Sequence, residues 1–190
     1  MPVTHFKRLM MELDTRRVLV PEPTLPDGYE WAAWHPSTID EHARAKFESF
    51  RDDLDGELFS CLSDESGCRR LMYDISHNHG FLSQATWLIR FVGNPFLRSL
   101  PCATIQGLRK QGNVGGVQNV AVIPEHRGFG LGRALMLQSI KGYQLAGIHR
   151  IRLEVTAANR PAVNLYRSIG FEVRRISYRT VEQFFEADAF

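Results

Sequence analysis

The chain has 190 residues, 44% of them hydrophobic and 23% charged, with a formal net charge of +2. That length fits one domain with a real core, and that composition excludes wholesale disorder. No apolar run approaches the roughly 20 residues that span a bilayer, and the N-terminus (MPVTHFKRLMMELD) carries charges where a signal peptide needs its apolar stretch, so a cytoplasmic protein is expected.

In chain order, Leu9, Met11 and Leu13 alternate with Arg8, Met10 and Glu12, the period of a strand with one face partly buried. A proline-rich stretch, Val20 to Pro26, separates this N-terminal extension (1–27) from the body, so the strand is expected to add to a sheet edge. A short strand follows over Tyr29 to Trp34. A helix is predicted over Ile39 to Leu54, with Thr38 as N-cap and Ala43, Phe47 and Phe50 at helical spacing. A second helix is predicted from Gly67 to Asn78, closed by Gly80, with Leu71, Met72 and Ile75 as its apolar side.

From Ala85 to Val92 the texture becomes that of a strand; a Gly-Asn-Pro break and a second strand ending near Leu108 suggest an antiparallel hairpin. Beyond Gly112 the order is strand (Val117 to Ile123), glycine-rich loop, helix (Gly132 to Ala146), strand (Ile151 to Val155), helix (Pro161 to Ile169) and strand from Phe171 onward. The whole reads as a single mixed α/β domain.

Cys61, Cys68 and Cys102 are odd in number and lack CxxC spacing, which points to reduced thiols. Charge is unevenly spread. Residues 40–65 hold nine acids against three Lys or Arg, and residues 127–179 hold ten Lys or Arg against two acids. Either both are solvated faces, or the basic half meets an anion and the acidic half a cation. His77 and His79 form an H-x-H without a third ligand at convincing spacing, so no metal is predicted. Arg174-Arg175 reads as a solvated strand surface, without nucleic-acid binding.

The run Arg127-Gly128-Phe129-Gly130-Leu131-Gly132 carries the most information. Pro124 ends a strand, and three alternate glycines then open an apolar helix through Ala134, Leu135, Leu137 and Ile140. Backbone N–H groups at such a helix start, unobstructed by side chains, attract phosphate through their donors and the helix dipole. A tight turn alone needs fewer glycines. The dinucleotide fingerprint G-x-G-x-x-G fails on register, because its third glycine falls on Arg133 or Leu135, and a P-loop fails because no Gly-Lys-Ser/Thr follows. His126 beside the loop reads as a plain loop residue.

The segment Val120 to Gly132 resembles the acetyl-CoA motif of the GNAT N-acetyltransferase superfamily, Arg/Gln-x-x-Gly-x-Gly/Ala, with Arg127, Gly130 and Gly132 in the defining places. The resemblance continues in order and spacing through Leu153-Glu154-Val155, Asn159, Ala162, Leu165-Tyr166 and Gly170-Phe171, covering residues 115–175. It implies a GNAT fold: a mostly antiparallel sheet of six to seven strands with a splayed parallel pair, flanked by about four helices, plus the strand-like extension.

By that resemblance, acetyl-CoA is the co-substrate and a primary amine the acceptor, in a monomer or homodimer that binds neither nucleic acid nor membrane. Val120, Ala121 and Val122 would line the thioester, and Arg127, Gly128, Phe129, Gly130, Leu131, Gly132 and Arg133 would cradle the pyrophosphate. Asn159 is either an N-cap or the amide that bonds the pantetheine, or both. Tyr166 is assigned as general acid, since a phenol with a pKa of about 10 keeps a proton to give to a thiolate. Glu154 is the base candidate, at a position that resembles the acid of the ribosomal-protein alanine acetyltransferases. Many members instead place an acid on the preceding strand, where this chain has Gln118 and Asn119. The acidic run Asp52 to Glu57 is a candidate to greet a cationic amine. A non-catalytic acyl-CoA-binding or sensing module is the main rival, and the acceptor itself has no readable motif.

Overall fold

The computed structural model describes residues 5–51, 59–93 and 98–180. Seven strands form one sheet: β1 (His5–Asp14), β2 (Tyr29–Ala33), β3 (Trp87–Phe91), β4 (Leu100–Lys110), β5 (Val114–Val122), β6 (Arg150–Thr156) and β7 (Glu172–Thr180), in the order β2-β3-β4-β5-β6-β1-β7. Among the described residues, four α-helices flank it: α1 (Ile39–Phe50), α2 (Glu65–His77), α3 (Leu131–Leu145) and α4 (Arg160–Ile169). Every neighbouring pair is antiparallel except β5 and β6, which run parallel.

β1 is not an edge strand. It pairs antiparallel with β6 on one side and β7 on the other, and its apolar face (Leu9, Met11, Leu13) is buried. Side-chain alternation reports which face is buried and carries no information about whether one or both backbone edges are paired. β7 is the outer strand instead.

Two cores result. Under α3 and α4, Met11, Ile105, Leu135, Ile140, Tyr143 and Ile151 are fully buried. On the opposite face, α1 and α2 cover a smaller cluster that includes Ala43, Cys68, Leu71, Leu108 and Ala121. Burial pushes the Cys68 and Cys102 thiols up to about 11 and about 12, so both stay protonated.

Local chemistry differs from expectation at three points, although α1 does begin at Ile39. Thr38 precedes α1, but its hydroxyl donates to the His35 carbonyl at 2.6 Å and does not cap the helix; it closes the short turn Pro36–Thr38. α2 begins at Glu65 because Asp64 caps it, accepting from the Gly67 N–H at 2.8 Å. Gly80 does not end α2. A Cβ there would lie 2.1 Å from the Arg109 carbonyl oxygen, so the glycine allows a close backbone crossing onto β4. The last residues expected in α1, 52–54, lie outside the described residues.

Candidate active site

β5 and β6 pair only through Val114–Gly116 and Arg150–Arg152, and then diverge. A bulge in β5 accompanies the divergence. Ala121 opposes Thr104 and Gln118 opposes Gln106, which leaves two residues against one, and Asn119 adopts a left-handed φ of 47°. Val117 to Val122 thus have no ladder partner on the β6 side, so backbone groups of β5 face the gap.

A cavity of about 540 Å³ fills this gap. Val120 lines it from β5, Glu154 from β6, and Asn159, Ala162 and Tyr166 from the start and inner side of α4. Asn159 is the N-cap of α4: its Oδ1 accepts from the Ala162 N–H at 3.2 Å. Tyr166 is 7% exposed, with its ring 6.0 Å from that of Phe171. Gln118 and Asn119 also line the cavity.

Glu154 and Tyr166 are therefore brought to one space. The Glu154 carboxylate is Arg-paired, 3.3 Å from Arg179 and 3.7 Å from Arg175. Arg174 and Arg175 do not form one surface: Arg174 pairs with exposed Glu172 at 2.9 Å, whereas Arg175, on the other side of β7, reaches the cavity. Adjacent strand residues face opposite ways, and the dipeptide had hidden this. Arg8, Lys110 and the apolar Phe50, Leu62 and Leu71 also line the cavity. Sequence reasoning missed these, although the basic bias of residues 127–179 was a signal for Arg175 and Arg179. The acidic run Asp52 to Glu57 lies outside the described residues.

The glycine loop adjoins the end of β5. Gly128 and Gly130 have φ of 85° and 80°, and Gly130 is the N-cap of α3 without any side-chain cap. The first bond of the helix is from the Ala134 N–H to the Gly130 carbonyl, so the amides of Leu131, Gly132 and Arg133 have no intrahelical acceptor. Gly132 has an ordinary helical φ, and a Cβ there would meet Leu165 only at 3.4 Å. Packing within the chain does not demand glycine at that place; a closely approaching phosphate does, and the loop fits a pyrophosphate on this ground.

Arg127 holds the loop. Its Nε donates to the Val122 carbonyl at 3.0 Å and its Nη2 to the Ser49 carbonyl at 2.9 Å, tying the turn to β5 and α1. Arg133 donates to Ser168 at 2.9 Å, linking α3 to α4. Phe129 is 55% exposed. His126 is more than a loop residue, since its Nδ1 lies 2.7 Å from the Tyr29 hydroxyl and its ring packs on Phe91; burial lowers its pKa. His77 stacks on Tyr73 with ring centroids 3.9 Å apart.

A buried polar group lies behind the cavity wall. Gln106, opposite cavity-lining Gln118, donates to Thr104 Oγ1 at 2.6 Å, and Thr104 Oγ1 is 2.6 Å from His42 Nδ1. One turn along α1, Lys46 is fully buried and its Nζ has no hydrogen-bond partner. Burial lowers His42 to about 3 and Lys46 to about 7.

The site thus combines a splayed parallel pair, a cavity in the gap between them and, at the end of β5, a helix start stripped of side chains. The chain belongs to the Acetyltransferase (GNAT) family, whose model matches residues 29–171. It is 50% identical over 58 residues to a mycothiol acetyltransferase of Pseudarthrobacter chlorophenolicus, a stretch that is 30% of this chain and 18% of that protein. It is 40% identical over 67 residues to the [ribosomal protein bS18]-alanine N-acetyltransferase of Escherichia coli K12, covering 34% of this chain and 45% of the relative. Among solved structures, a GCN5-related N-acetyltransferase from Sphaerobacter thermophilus shares the fold with a TM-score of 0.66 at 20% identity, over 95% of this chain and 53% of that one. The chain thus spans under one fifth of the mycothiol enzyme and about half of the Sphaerobacter chain.

Proposed function

We propose that this chain is an acetyl-CoA-dependent N-acetyltransferase acting on a primary amine. The observation that carries the reading is the convergence of unpaired β5 backbone, Asn159 and Tyr166 on one cavity beside the glycine loop. Acyl-CoA would supply the activated acetyl group. The amides that begin α3 would hold its pyrophosphate, and a β5 N–H would bond the thioester carbonyl and stabilise the oxyanion formed on attack.

The amine nitrogen bonds to the carbonyl carbon, and the carbon–sulfur bond breaks as the tetrahedral intermediate collapses. Tyr166 gives its phenolic proton to the departing thiolate. Glu154, directly or through water, takes the proton that the amine loses. Asn159 caps α4 with its Oδ1, which leaves its Nδ2 to donate to the pantetheine arm.

Thermal shift with acetyl-CoA, CoA and NAD(P), followed by thiol release on an amine panel, tests this. Stabilisation by acetyl-CoA and amine-dependent thiol release support the reading. Stabilisation without release on any amine supports the acyl-CoA-binding module, and stabilisation by NAD(P) alone excludes both.

A further inference from the structure

The cavity is lopsided in charge. One wall is apolar, built by Phe50, Leu62 and Leu71 from α1, the turn after it and α2. The other, from β1, β6 and β7, presents Arg8, Arg152, Arg175 and Arg179, and β4 adds Lys110, against Glu154 as the one carboxylate among the described lining residues. Internal pairing offsets this only in part. Arg152 donates to Glu12 at 2.6 Å, Arg175 and Arg179 share the single Glu154, and Arg8 donates to Thr156 at 2.8 Å with its guanidinium over the Phe59 ring. Leaving Arg8 aside, four cations (Lys110, Arg152, Arg175 and Arg179) face the two carboxylates Glu12 and Glu154 among the described residues.

Such a wall repels an ammonium ion that arrives alone and attracts one that brings a negative group. A guanidinium also has the fork of donors that matches a carboxylate or phosphate. The arginines and Tyr166 line one space of about 540 Å³, within the span of a single small molecule. We propose that the acceptor amine carries an anionic group, carboxylate or phosphate, which this arginine wall binds while the apolar wall takes the body of the molecule. The proposal rests on the acetyl-transfer reading above and names the acceptor class for that site.

The test compares matched amines: a hydrophobic dipeptide with a free carboxylate, its C-terminal amide, an amine bearing a phosphate monoester, and a polyamine. Thiol release gives kcat/KM for each, and calorimetry in the presence of CoA gives the affinity for the acid and amide forms. The expected result is an acid-to-amide ratio of about tenfold or more. Arg175→Gln and Arg179→Gln should each lower that ratio toward one, a readout that a general loss of activity or of folded protein does not move. The better of the carboxylate and phosphate amines names the source of the anion. A ratio of one or less in the unaltered protein, a preference for the polyamine, or a ratio unchanged in both variants overturns the proposal. If no amine turns over, the acetyl-transfer reading fails, and the calorimetric ratio alone then decides whether the wall binds an anion.

Discussion

Glu154 and Tyr166 belong to opposite faces of the sheet and yet line one cavity. In β6, Leu153 and Val155 are buried in the core that contains Tyr166, while Glu154 points to the other side among the arginines. Only because β5 leaves β6 after Gly116 can a space pass through the sheet and touch both. In the mechanism proposed above, this geometry would set the proton donor and the proton acceptor on opposite sides of the thioester carbonyl.

Tyr166→Phe should keep the ring packing on Phe171 while removing the phenolic proton. Turnover should fall by about 10²- to 10⁴-fold with acetyl-CoA affinity little changed. Steady-state kinetics together with equilibrium binding checks this; unchanged turnover removes Tyr166 from the chemistry.

Gly130 and Gly132 should respond in opposite ways. Gly130→Ala forces a side chain into φ 80° and should cost about 1–2 kcal/mol of stability. Gly132→Ala meets only ordinary contact and replaces a helical glycine, so stability should rise by about 0.5–1 kcal/mol. The same Cβ crowds the amides offered to phosphate, and acetyl-CoA affinity should fall by about tenfold, equivalent to about 1.4 kcal/mol. Thermal melts and acetyl-CoA titration separate the two effects.

Asn159 has two separable duties. Asn159→Ala should lose the cap of α4 and about 1 kcal/mol, whereas Asn159→Ser keeps a capping oxygen and should restore most of it. Both variants lack Nδ2, so both should raise KM for acetyl-CoA. A KM restored in step with stability would assign Asn159 to the cap alone.

Lys46 should make stability depend on pH. The unfolded chain keeps the lysine proton up to about 10.5, whereas the folded chain releases it above about 7. Between these values the unfolded state binds more protons, so stability rises with pH, by up to about 1.4 kcal/mol per unit, and is lost as pH falls through 7. His42, lowered to about 3, extends the loss below pH 6.5. Lys46→Met should raise stability at pH 7 and flatten the slope between pH 7 and 10; denaturant melts across that range measure it.

The second half of the chain was legible because its elements alternate sharply and its glycines have a backbone reason. The period of Ile151, Leu153 and Val155 gave β6 its buried face, and the loop from Gly128 to Gly132 marked the start of α3. The insertion of β1 between β6 and β7 was hidden, since pairing of both edges leaves no trace in side-chain period. Lys46 and His42 were hidden for another reason. They are polar residues beside the apolar stripe of α1, and burial of that side follows from packing on β4, whose inner face offers Thr104 and Gln106. Arg127 also donates to the Val122 and Ser49 carbonyls, partners that no local pattern encodes.

Amine-dependent acetylation, followed by mass spectrometry of the acceptor with purified protein and acetyl-CoA, tests the central claim most directly. The account predicts an acetylated amine formed in step with free CoA thiol, and product formation sharply reduced in Tyr166→Phe. Tight acetyl-CoA binding with no acetylated product from any amine of the panel, or product formed equally well by Tyr166→Phe, would contradict it.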